Sequence, residues 1–239
     1  MSSILKFVFA LCISLSMTKC GYVSNTVDGV GDVIKQEYQL ENFTSLDLKN
    51  GWEVELIPAE ENKMLISANE NLFEELNYEM KDDNLLVEAS RNIGKADKKL
   101  IQLFYNQPLQ ILKVSSGVYL HSASTINASD LQASFSSGCK TDLNFDIQKF
   151  KVDASSGANI ILTGNSNYSN FEVSSGAGVN ALGLISKEVD AKSSSGASIK
   201  LHVTESLKAT SSSGAMIKYK GEINSVEKST SSGGSVKEL

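Results

Sequence analysis

The tripeptide Ser-Ser-Gly occurs seven times from residue 115 onward, with its glycines at Gly117, Gly138, Gly157, Gly176, Gly196, Gly214 and Gly233. Successive glycines lie 21, 19, 19, 20, 18 and 19 residues apart. So short a period restricts the chain to stacked repeats, each too small to bury a core alone. A βαβ unit takes about 30 residues. Helical repeats need a 3.6-residue apolar period that these segments lack. What remains is one coil of a β-helix per repeat, built from two or three short strands and tight bends.

The residues between the tripeptides alternate, which a Ser/Gly-rich linker would not do. In the fifth copy Val189, Ala191, Ser193, Ala197, Ile199, Leu201 and Val203 share one parity. Asp190, Lys192, Ser194, Ser198, Lys200 and His202 share the other. A period of two with one apolar set describes strands with one buried face. The fold class read from the sequence is therefore all-β: a single-stranded parallel β-helix of about 19-residue coils, right-handed by the general preference, with an irregular N-terminal part.

Parity also assigns the tripeptide. Counted straight through, the second serine (Ser116, Ser137, Ser156, Ser175, Ser195, Ser213 and Ser232) falls on the apolar side. An isolated buried hydroxyl is costly, but stacked hydroxyls can donate to one another. The expectation is an inward Ser ladder that fixes the register of the coils. The seven glycines are expected at bends with positive φ, a geometric role preferred over a docking strip of bare backbone. The residue after each glycine is small almost throughout, as a narrow interior demands. Cys139 takes one of these positions and reads as a buried hydrophobe rather than a reactive thiol.

The composition agrees. Only 7% of residues are aromatic, there are 2 prolines and 17 glycines, and the net charge is −6. A net negative charge argues against nucleic acid as a partner, since a general binder needs a basic face for phosphates. Three cysteines (Cys12, Cys20, Cys139) make no disulfide framework, and no paired Cys or His spacing suggests zinc.

The first 19 residues read as an export signal. Lys6 precedes an apolar run, Phe7 to Leu15, that is too short to span a bilayer. Residues 20–36 read as a tether, 37–110 as irregular opening coils that cap the stack, and 111–239 as regular coils continuous with them. Within 37–110, Asn50-Gly51 is a turn signal, Lys63 to Ala68 and Asn84 to Ala89 are strands, and Asn71 to Met80 has room for a short helical turn. The acids clustered there read as a solvated face, since their spacing matches no EF-hand.

The Ser-Ser-Gly-Ala repeats, the segment Asn50-Gly51-Trp52-Glu53-Val54-Glu55-Leu56 and the N-terminal signal together resemble the putative auto-transporter adhesin head GIN domain family. The resemblance covers about residues 37–239 and implies a β-helical fold, found largely in exported proteins of Bacteroidetes-type bacteria. The segment Leu15-Ser16-Met17-Thr18-Lys19-Cys20-Gly21 resembles a bacterial lipoprotein signal, although Lys19 departs from the usual small residue. It implies lipidation at Cys20, anchoring to the outer membrane, and membrane contact through that lipid alone. No catalytic motif is carried over with the family.

A β-helix can also carry a polysaccharide-cleaving site, which needs clustered carboxylates. The outward column four residues before each glycine holds Asp153, Glu172 and Lys192 in successive coils. These three are the candidate ligand-facing residues. Their plainer reading is an exposed row in which Glu172 pairs with Lys192. No catalytic residue, metal site or cofactor is assigned. The function expected is a non-enzymatic exported binding or structural module, a periplasmic or cell-surface adhesin for glycan or surface protein. A glycan-active enzyme and a self-assembling homo-oligomeric scaffold are the alternatives. Tyr119, Lys140, Asn159 and Met216 are expected to flank the column formed by the first serines.

Overall fold

A computed structural model describes residues 26–239, all of it strands, turns and one 3-10 helical turn, Glu70–Glu74. The signal segment and Cys20 lie outside the described residues. The chain winds into about 7 parallel stacked coils spaced about 19 residues apart, a β-solenoid.

The long strands Lys140–Ala154, Asn159–Val173, Gly178–Ser193 and Ser198–Ser211 pair in parallel, each with the next. Inward side chains form columns. Leu120, Thr141, Ile160, Val179, Ile199 and Ile217 make one spine, all but fully buried. Val118, Cys139, Ala158, Ala177, Ala197 and Ala215 make a second. One coil earlier the same place is filled by Trp52, and in the last coil by Gly234, where any Cβ would meet the Ser211 carbonyl at 2.3 Å. Along this column the side chain shrinks from Trp52 through Val118, Cys139 and the alanines to Gly234.

The corner between the two long faces is a tight turn. In each copy the second Ser and the Gly both have positive φ: Ser156 at 52° and Gly157 at 72°, for example. The N–H of Ala158 donates to the carbonyl of Ser155 at 3.1 Å, closing a turn of type I′ character. One coil before the first Ser-Ser-Gly, Asn50 (φ 65°) and Gly51 (φ 85°) occupy the same corner, beside Ser116 and Gly117.

This turn corrects the expected inward Ser ladder. Ser137, Ser156, Ser175, Ser195, Ser213 and Ser232 are exposed, and Ser116 is half-buried. Alternation holds on both sides of the corner: Ala154 and Ala158 are both buried. Between them the two left-handed residues lift Ser156 out to solvent. The serines remain stacked above one another, and main-chain bonds hold the register. The Gly157 N–H donates to the Ser175 carbonyl at 3.2 Å, and five equivalent bonds link the other adjacent corners at 3.1 Å. A buried hydroxyl pair does exist, but elsewhere: Ser169 and Ser186 Oγ are 3.0 Å apart.

The N-terminal part differs from a simple run of wider coils. The coil Ser45–Leu48 and Glu53–Pro58 lies between two later segments. On one side it pairs in parallel with Asn84–Ala89 and Lys99–Tyr105, and on the other with Ile111–Val114 and Tyr119–Ser122. Chain order and spatial order thus diverge. Antiparallel strands close this end: Leu76–Lys81 on Asn84–Ala89, Lys63–Asn69 on Lys99–Tyr105, and Val33–Gln39 on Lys63–Asn69. Residues 26–36, expected as tether, therefore contribute strands, because Thr26–Val27 pairs with Asn92–Ile93 in a small two-stranded sheet and Val33 opens a strand at the edge of the main sheet. The stretch expected as a helical turn divides into the 3-10 turn and the strand Leu76–Lys81, joined to its partner by the positive-φ pair Asp82-Asp83.

Candidate functional site: a polar groove along the coils

Strand register brings Ser134, Asp153, Glu172, Lys192 and Thr210 into one outward column, each aligned with the next across adjacent coils. Beside this column, where the strands enter the corner, run the half-buried first serines Ser136, Ser155, Ser174, Ser194 and Ser212. The two columns line an open groove of about 520 Å³ along the solenoid. Parallel strands lie about 4.8 Å apart, so the hydroxyls recur at that interval down its length.

The charges in the groove are matched. Lys192 Nζ lies 3.0 Å from Glu172 Oε1, and Lys151 Nζ 3.6 Å from Asp153 Oδ2. Hydrogen bonding to Glu172 holds the Lys192 ammonium above its ordinary range, and the Glu172 charge adds to the effect. Each acid has its own cation, and the groove presents carboxylates, ammonium groups and hydroxyls side by side. Among the described residues no group of three or more His, Cys, Asp or Glu side chains is placed to hold a metal ion.

The structure thus brings Asp153, Glu172 and Lys192 together, with the first serines. Ser134 and Thr210, which the four-residue offset before Gly138 and Gly214 puts in the same outward column, were not among the candidate ligand-facing residues. Tyr119, Lys140, Asn159 and Met216 do not flank the groove. They begin the strands beyond the corner, where Tyr119 aligns with Lys140 and Lys140 with Asn159. The four-residue turn carries them onto the other face. His121 is also there, 3.7 Å from Glu53, while His202 aligns with Ile185 several coils away. Cys139 is free and fully buried, and burial pushes its thiol up to about 11.

A capped parallel β-solenoid with a polar, charge-matched flank defines the class: a repeat protein whose long faces present side chains in register. The chain matches the family described as putative auto-transporter adhesin, head GIN domain, over residues 42–222, and belongs to it. Three solved structures share the fold. A putative adhesin from Bacteroides fragilis is 18% identical, with 89% of this chain and 100% of that one covered at a TM-score of 0.82. A putative adhesin from Parabacteroides merdae is 20% identical, covering 90% and 99%, at a TM-score of 0.72. A protein from Parabacteroides distasonis named a putative lipid binding protein is 14% identical, covering 90% and 99%, also at a TM-score of 0.72. No curated protein matches the chain.

Proposed function

We propose that this protein is a non-enzymatic exported binding module, an adhesin of the cell surface or periplasm anchored through a lipid on Cys20. Its groove takes a glycan or an extended segment of a surface protein. The observation that carries this reading is the register of Ser134, Asp153, Glu172, Lys192 and Thr210 beside the first serines, in an open groove of about 520 Å³. Hydroxyls, carboxylates and an ammonium repeated along one line suit a polymer of repeating polar units. Membership of an adhesin family supports export, and the paired charges argue against acid–base cleavage.

The test is binding of the folded protein to immobilised glycans, with Asp153→Ala and Lys192→Ala as comparisons. Saturable binding that weakens in either variant is the expected result. Release of reducing ends from a bound polysaccharide, abolished in Asp153→Ala, would overturn the reading in favour of an enzyme. Binding unchanged in both variants would remove the groove from the function.

A further inference from the structure

The second long face carries a different electrostatic pattern. On the groove face, register sets four opposite-charge pairs side by side, Asp130 with Lys149, Glu172 with Lys192, Asp190 with Lys208 and Lys208 with Glu227, and the one like-charged pair among its neighbours, Asp153 with Glu172, has a cation for each acid. Beyond the corner, Lys200 aligns with Lys218, and Lys218 with Lys237. Lys220 lies two residues beyond Lys218 on the same side and aligns with His202. All four lysines are exposed or half-exposed, and among the described residues none forms an ion pair. Like charges on neighbouring strands repel. Three in succession on a chain of net charge −6 therefore oppose the stacking that the rest of the fold favours.

We infer that the column Lys200, Lys218 and Lys237 is a docking site for a linear polyanionic polysaccharide, laid along the solenoid axis across the last three coils. The lysines recur at the strand spacing of about 4.8 Å, so a chain bearing a carboxylate on successive sugars meets one ammonium after another. The hydroxyls of Ser198 and Ser235, each two residues before a lysine, stand beside the column to meet sugar hydroxyls. A flat anionic membrane fits less well. The same column continues through Asn180 and Ile161 to Asp142, His121 and Glu55, and a plane lying on the whole face would press the carboxylates of Asp142 and Glu55 against anionic lipid. A chain confined to the last three coils avoids them. This site is separate from the groove and stands or falls without it.

The probe is polygalacturonate, a linear polymer of uronic acid, with neutral dextran as control. At low ionic strength the protein binds polygalacturonate and not dextran, and added salt weakens the complex. The triple variant Lys200→Gln/Lys218→Gln/Lys237→Gln loses roughly 100-fold in affinity, as three contacts between water-exposed unit charges would give. The variant Lys35→Gln/Lys81→Gln/Lys187→Gln, with the same change in net charge, retains binding. So does the triple Lys→Arg variant of the column, which keeps the charge and separates its loss from misfolding. Equal loss in both Gln variants would overturn the site, because it would report net charge alone. Absence of binding to polygalacturonate would overturn it. So would a preference for anionic phospholipid vesicles, or concentration-dependent mass in sedimentation that disappears in the column variant, which would assign the lysines to a membrane or to a second copy.

Discussion

The backbone N–H of Gly157 donates to the carbonyl of Ser175 in the following coil at 3.2 Å, and both residues sit at positive-φ corners stacked one above the other. The equivalent bond recurs at every adjacent pair of Ser-Ser-Gly corners, from Gly117 with Ser137 to Gly214 with Ser232. Each corner is thus closed within its own coil by the bond between its first and last residues, and tied to its neighbour through the pair in the middle. The register of the solenoid is held on this edge by main chain, and the serine side chains are left free at the surface.

The corner residues should respond to substitution through their φ. Nothing lies within 4 Å of a Cβ built on Gly176, so Gly176→Ala meets no clash and pays only for the left-handed conformation, about 1 kcal/mol. At Gly164 the new Cβ would fall 1.9 Å from the Phe145 carbonyl, and Gly164→Ala should cost about 3 kcal/mol or more, since backbone must move. Ser156→Asn should stabilise by about 0.5 kcal/mol, because Asn-Gly suits this turn better and already serves it at Asn50-Gly51. Urea unfolding midpoints of the three variants give the order directly. A Gly176→Ala loss as large as that of Gly164→Ala would contradict the φ argument.

The interior hydroxyl pair should behave unlike the corner serines. Ser169→Ala leaves the buried Ser186 hydroxyl without its 3.0 Å partner, at a cost of about 1–3 kcal/mol. Ser169→Ala/Ser186→Ala removes both groups and should recover part of that loss, whereas Ser175→Ala at the exposed corner should cost less than Ser169→Ala. A double-mutant cycle in denaturant measures the coupling. Strict additivity would show that the two hydroxyls do not interact.

Cys139 should be chemically silent in the folded protein. Its thiol is buried and pushed up to about 11, so little thiolate forms near pH 8 and reagent cannot reach it. A chromogenic thiol reagent should leave it unmodified in buffer and titrate it fully in guanidinium. Rapid reaction in buffer would mean that its coil opens readily. Because Ala fills the same column in Ala158, Ala177, Ala197 and Ala215, Cys139→Ala should fold normally.

An ion pair near the N-terminal cap should make stability depend on acid. Arg91 Nε donates to both oxygens of Glu75 at 3.1 and 3.2 Å, and its Nη2 also reaches Oε1. These bonds hold the Glu75 carboxyl below its ordinary 4.5. A depressed folded-state value means that the native protein binds this proton less readily than the unfolded chain. The contribution is therefore complete above pH 4.5 and is lost as pH falls through the folded value. Arg91→Ala should melt below the wild type at pH 7, with the gap closing as pH drops under about 4.5. A gap independent of pH would rule out the charge as its source.

Much was legible in the sequence because both signals involved are local. The spacing of the glycines gives the coil length, and alternation gives the buried columns, from Leu120 to Ile217. The same count places Asp153, Glu172 and Lys192 side by side. Lys200, Lys218 and Lys237 were equally accessible, each four residues after its glycine, but their significance rests on their alignment across three coils and on none of them forming an ion pair among the described residues. Three features required the tertiary structure. The second serine points outward because two successive left-handed residues interrupt the pleat, and parity counting assumes an unbroken one. The coil containing Asn50 sits between segments from residues 84–105 and 111–122 because long-range pairing, not chain order, decides which edges meet. The groove and the lysine column lie on different faces because the corner turns the chain between them, and a one-dimensional pattern contains no direction of bend.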